Sequence, residues 1–187
     1  MIDKINFDGT GTLTQLQDAE REYSYGGDEA EEIYAQLQQN SMDQDILRKV
    51  ALWKLGRILK VDQDIIDSLD KVKEWSRDNF FSGKHKDEFS DTLVKLLGST
   101  GVGLPMASTF LRFRNPEVFQ IVDRRAYRAV FGEKYKEPPT EKATNYYLNY
   151  LQKLIEVNSK FPEVEYSDLD KILYQWDIIN NRGIKLY

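Results

Sequence analysis

Leu96-Leu97-Gly98-Ser99-Thr100-Gly101-Val102-Gly103-Leu104-Pro105-Met106-Ala107, and beyond it Val122-Asp123-Arg124-Arg125-Ala126-Tyr127-Arg128, carry the topology of this chain. Leading into the first stretch, Leu93, Leu96 and Leu97 repeat every three or four residues, as one helix face does. The chain then reverses through Gly101 and Gly103, and Met106, Ala107, Phe110 and Leu111 resume the same period. Pro105 suits the first turn of the second helix, where its missing N–H would have no partner. In the second stretch Asp123 is a good N-cap for a helix that ends at Gly132.

Outward from these stretches the helical period continues. Asp28-Glu29-Ala30-Glu31 reads as an N-cap with an acid three positions on, opening a helix to about Asn40. From Asp45 to Leu59 the apolar residues Ile46, Leu47, Val50, Ala51, Trp53, Leu55, Ile58 and Leu59 keep helical spacing. Asp62 or Asp64 caps a helix carrying Ile65, Ile66, Leu69, Val72 and Trp75, and another spans Asp87 to Leu97. Asn115-Pro116 closes the helix after the hairpin, and a short apolar run, Phe119-Gln120-Ile121-Val122, leads to Asp123. Past Pro138-Pro139, Thr140 begins a helix with Tyr147, Leu148, Leu151, Leu154 and Ile155 inward. Ser167-Asp168-Leu169-Asp170 caps the last, with Ile172, Leu173, Trp176 and Ile179 as its apolar positions. The three Trp and the Tyr146-Tyr147-Tyr150 cluster are expected to be core packing. Residues 1–27 show no period, so any sheet belongs there. The fold class is all-α, in one compact helical unit over 1–187. A two-lobed arrangement is the alternative: about 28–115, with the hairpin, against 1–27 plus 116–187.

Composition removes whole classes of chemistry. With no Cys there is no disulfide, thiolate nucleophile, Cys-ligated zinc or iron–sulfur cluster, and a reducing compartment fits. The lone His85 cannot build a His metal site or a Ser-His-Asp triad, and is expected in an exposed loop. No metal or other cofactor is expected. Met1-Ile2-Asp3-Lys4-Ile5 lacks the basic-then-apolar pattern of a signal peptide, and no apolar run approaches the roughly 20 residues that span a bilayer. The expectation is a cytoplasmic protein with no membrane partner.

Charge is unevenly placed. The chain has 26 Lys plus Arg against 31 Asp plus Glu, net −5, and residues 1–40 hold two basic and nine acidic side chains. Residues 98–136 instead hold seven basic and three acidic ones, a local +4. Arg124 and Arg125 stand in the first turn of a helix, where the dipole prefers negative charge by about 0.3–1 kcal/mol per site. Such a pair implies that an external anion or an acidic neighbour compensates. Gly101 and Gly103, for their part, leave room for outward amides at a helix N-terminus, a setting that welcomes an anion, although a plain inter-helix turn has the same sequence.

Leu97-x3-Gly101-Val102-Gly103-x3-Ala107 followed by Val122-Asp123-x2-Ala126-x-Arg128 resembles the signature of the helix-hairpin-helix DNA glycosylase superfamily, the endonuclease III-like fold. The likeness covers Leu93 to Arg128. It implies a helix-hairpin-helix glycosylase-like fold in which the Gly101, Val102 and Gly103 backbone holds DNA phosphate and Asp123 is the catalytic aspartate. Arg124, Arg125 and Arg128 would add contacts to the DNA backbone. Bifunctional members carry a lysine eighteen residues before the aspartate, where this chain has Pro105. The resemblance therefore points to the monofunctional branch, which hydrolyses the N-glycosidic bond of a damaged, flipped-out base in duplex DNA without strand cleavage. Ser99-Thr100 in place of a proline before Gly-Val-Gly, Arg124-Arg125 in place of a Thr-His pair, and the absent cluster cysteines set this chain apart from familiar members. Two other readings remain. One is a catalytically inactive nucleic-acid-binding or accessory protein of the same fold. The other is a helical interaction protein whose acidic N-terminal region contacts a partner.

Overall fold

A computed structural model describes residues 32, 33, 35, 36, 43–55 and 59–186. The chain divides into two compact units, Met1–Ile58 and Leu59–Tyr187. In the first, positions 32, 33, 35 and 36 are helical, and α1 spans Gln44–Lys54. Asp43 caps α1, its side chain accepting from Ile46 N at 2.8 Å. Leu55 is the C-cap, so the helix stops short of the expected Leu59. Residues 1–27, where any sheet was expected, lie outside the described residues.

The second unit holds α2 (Gln63–Val72), α3 (Arg77–Phe81), α4 (Lys86–Gly98), α5 (Leu104–Arg114), α6 (Arg124–Phe131), α7 (Thr140–Lys160), a 3-10 turn (Tyr166–Asp168) and α8 (Leu169–Asn180). Among the described residues there is no strand, only an isolated bridge between Lys60 and Thr100. No helix of the described residues is long and apolar enough to cross a membrane. The class is all-α, as the periodicity predicts.

Aromatic rings run through the core of this unit. Trp75, Phe80, Phe89, Phe119 and Tyr147 contact one another in sequence, with Tyr147 leading on to Tyr150. The full burial of Phe89, Phe119, Leu93, Leu96, Leu111, Leu151 and Leu154 stabilises the unit by roughly 1.5–3 kcal/mol per side chain. Helix α4 packs on α7 and on α5, α2 packs on α4 and α5, and α6 packs on α8.

Four details differ from the sequence reading. Helix α3 was not expected; Ser76 caps it by accepting from Asn79 N at 3.3 Å. Helix α2 ends at Val72, and Trp75 reaches the core from the turn beyond it. His85 is not an exposed loop residue: its ring stacks on Trp75 at 4.7 Å and 9° and lies 3.1 Å from Glu88. Helix α8 is rotated from the expectation, although Leu173 packs against the core as expected. Ile172, Trp176 and Ile179 are exposed, while Leu169, Asp170 and Asp177 are buried. The reason lies in its neighbours: the arginines of α6 draw Asp177 inward, and Arg112 of α5 and the Ile121 amide draw Asp170.

Candidate functional site: Asp123 and the hairpin

Asp123 ends a largely buried, non-helical segment whose backbone groups could not be left unpaired without cost. Side chains from distant elements satisfy them. Tyr147 donates its hydroxyl to the Gln120 carbonyl at 2.7 Å, and Tyr150 to that of Ile121 at 2.8 Å. Tyr166 donates to the Val118 carbonyl at 3.3 Å. The Ile121 amide donates to Asp170 Oδ2 at 2.9 Å, and the Val122 amide to Ser108 Oγ of α5 at 3.1 Å. Gln120, fully buried, accepts from Asp170 N and donates to the Pro116 and Phe119 carbonyls. The apolar run is thus a taut connection bolted to α5, α7, the 3-10 turn and α8. Burial drives the Tyr147 and Tyr150 hydroxyls well above the ordinary tyrosine range, so they remain protonated donors.

Asp123 itself is half-buried at the N-cap of α6. Its Oδ1 accepts from Arg125 N at 2.6 Å and Ala126 N at 2.8 Å, and both capping bonds fall on that one oxygen. Burial raises its carboxyl above the usual aspartate range; the two amides pull the other way and the nearby Asp170 adds to the rise. The helix N-terminus, expected to favour the ionised form, is outweighed by desolvation in this direction.

The arginines find acidic neighbours. Arg128 is buried and clamps Asp177 with Nε to Oδ1 and Nη2 to Oδ2, both at 2.8 Å. Its Nη1 reaches the Ile184 and Lys185 carbonyls. Arg125 approaches the same carboxylate at 3.2 Å. Hydrogen bonds from Arg128 hold the Asp177 carboxyl below the usual range. Arg112 pairs with Asp170 at 3.4 Å and Arg114 with Asp70 at 2.9 Å. The misplaced charge at Arg125 is therefore answered by Asp177, the acidic neighbour of the two alternatives. Arg124 is exposed.

At the hairpin, Gly101 has φ +81°, the left-handed region open to glycine, and Val102 N donates to Ser99 O at 3.2 Å. Val102 is buried, and Thr100 accepts from Lys60 N at 3.3 Å. Gly103 is the N-cap of α5 and brings no capping side chain of its own. The cap comes from 33 residues away: Leu104 N donates to Glu137 Oε1 at 2.6 Å, while Tyr135 donates its hydroxyl to Glu137 Oε2. A Cβ at Gly103 would stand 3.1 Å from that Oε1. Tyr135 in turn contacts the ring of Tyr127 on α6, so one loop joins the hairpin to the Asp123 helix.

Of the residues singled out by sequence, Asp123, Arg125 and Arg128 share α6 and its N-cap, and Gly101, Val102 and Gly103 form the turn before α5. Asp177, Asp170, Ser108, Tyr150 and Glu137 were missed. One signal pointed to the first two, since Asp170 and Asp177 are seven apart and so lie on one face of an otherwise apolar helix. Among the described residues no group of three or more His, Cys, Asp or Glu is placed to hold a metal. Compared with known proteins, the chain matches no family, no curated protein and no solved structure.

Proposed function

We propose that this chain is a helix-hairpin-helix glycosylase-like protein that acts on duplex DNA and hydrolyses the N-glycosidic bond of a flipped-out base. The observation that carries the reading is the setting of Asp123: capping engages only Oδ1, which leaves Oδ2 outside the cap, at the end of a segment tied to the hairpin helix through Ser108. A carboxylate so fixed can face the positive charge that builds on the sugar and orient water toward its anomeric carbon. The water oxygen bonds to that carbon as the bond to the base nitrogen breaks, and the base leaves with the proton. Pro105 supplies no amine for a Schiff base, so the strand stays intact.

Single-turnover assays on oligonucleotides carrying oxidised, alkylated and deaminated bases test this reading. Strand breaks should form only after alkali, and Asp123→Asn should slow base release by about 10²-fold or more. The rate should fall toward acid as Asp123 protonates, at a higher pH than for an ordinary aspartate, because burial raises its carboxyl. No release from any substrate moves the reading to a non-catalytic nucleic-acid-binding protein of the same type. Glu137 on the Leu104 amide, and Asp177 neutralising Arg125 and Arg128, favour instead the reading as a helical interaction protein, because both occupy groups that a DNA phosphate would use.

A further inference from the structure

Helix α8 turns two aspartates inward and large apolar side chains outward. Arg125 and Arg128 hold Asp177 and Arg112 holds Asp170, so buried ion pairs fix the rotation of the helix together with Leu169 and Leu173. On the surface this rotation leaves Ile172 at 45%, Trp176 at 49% and Ile179 at 65% exposure. Steps of four and then three residues set the three on one stripe of α8, the spacing of a helix–helix seam. Single exposed apolar residues are ordinary on a protein surface, but a contiguous stripe marks a place that another molecule covers.

Two features say what covers it. The stripe is symmetrical about its middle: Ile172 and Ile179 stand equally far from the Gln175–Trp176 bond, so an antiparallel second copy sets one isoleucine against the other. The flanking charges, by contrast, have opposite signs at the two ends. Glu163, Glu165 and Asp168 precede the stripe and Arg182 and Lys185 follow it, all of them exposed. Antiparallel pairing brings the acidic end of each copy to the basic end of the other and opposes the two helix dipoles. Lys171 is the exception among these charges. It holds Asp168 at 2.6 Å within its own chain, and in the antiparallel register it faces the neutral Asn180. We propose that the Ile172, Trp176 and Ile179 face of α8 is a two-fold interface, on which a second copy of this chain lays the same helix antiparallel. The three side chains offer on the order of 300 Å² per copy, and with their polar flanks the pair comes to roughly 1,000 Å², the lower end of specific interfaces. The dimer is accordingly weak and forms as concentration rises. It stands independently of the DNA-acting reading, because no residue of the stripe belongs to the Asp123 site.

The test is sedimentation velocity of the full chain from low micromolar to submillimolar concentration. Wild type should pass from monomer to dimer and form nothing larger, because a two-fold face closes on itself. Ile179→Lys should stay monomeric across that range while keeping the helical dichroism and urea midpoint of wild type, since residue 179 is exposed. Arg182→Glu sets acid against acid and should weaken the dimer by about tenfold. Adding Asp168→Lys to it should recover most of that loss, a rescue that only the antiparallel arrangement allows. A wild-type chain that remains monomeric throughout overturns the proposal, and slow hydroxyl-radical labelling of Trp176 in that monomer would assign the stripe to another segment of this chain. A dimer that Ile179→Lys leaves intact overturns it too, since the interface then lies elsewhere. A dimer that Ile179→Lys dissolves but the charge swap fails to rescue rejects the antiparallel pairing, and the proposal with it.

Discussion

The segment from Val118 to Asp123 and the hairpin from Gly98 to Leu104 face the same difficulty, backbone polar groups outside any helix, and resolve it differently. The first is buried, and its groups are met by side chains of four other elements, all within the core. The hairpin is met by its own turn bonds, by an exposed carboxylate and by one bridge to Lys60. One region is held from within the core, the other from the surface. The difference shows that equally suggestive motifs can be anchored by buried or by exposed partners.

The anchor can be broken most severely at its ion pair. Asp177→Ala leaves the buried Arg128 unpaired and should lower stability by about 3–5 kcal/mol, read from the urea midpoint. A change no greater than that of a surface substitution would mean that α6 and α8 do not depend on this pair. Ser108→Ala comes next, because it orphans the buried Val122 amide; we expect a loss of about 1–3 kcal/mol. Base release should slow with it, since the approach to Asp123 slackens. A matching loss in Leu154→Ala, a fully buried residue of α7, without the same slowing would separate simple core damage from loss of positioning.

The acid limb sharpens the same contrast. Asp177 has a depressed carboxyl in the folded state, so its contribution is fully present above the unfolded value of about 3.9 and disappears as pH falls through the lower folded value. The stability gap between wild type and Asp177→Asn should accordingly hold steady from neutral pH to about 5 and narrow below about 4. A gap that widens toward acid would contradict the assigned pairing. The smallest effect belongs to Arg124, exposed at the start of α6. Arg124→Ala should change stability by no more than about 0.5 kcal/mol, yet reduce the salt slope of DNA binding by about one.

Local signals in the sequence were sufficient for most of the helices of the second unit, though not for short α3, and for the hairpin turn, the Asp123 cap and the stop at Gly132, because period, caps and glycine act within a few residues. What required the structure depends on residues far apart. The apolar pattern of α8 is compatible with either face inward, and partners on other elements decide: the arginines of α6 for Asp177, and Arg112 of α5 with the Ile121 amide for Asp170. Nothing near Gly103 announces Glu137, and nothing near Gln120 or Ile121 announces the hydroxyls of Tyr147 and Tyr150. His85 is the same lesson at short range: Gly83-Lys84-His85-Lys86 reads as a solvated loop, but Trp75 is close enough to stack on it.

The long reach of the bonds on the Val118–Val122 segment has a consequence for how the molecule assembles. Their partners lie 14, 27, 29, 48 and 49 residues away, so no fragment of local chain can order this stretch by itself. Its bonds are complete only when α5, α7, the 3-10 turn and α8 are all in place. The amide protons of Ile121 and Val122 should then exchange with solvent deuterium only through global opening, among the slowest in the chain, while that of Leu104 exchanges at the rate of a local fluctuation.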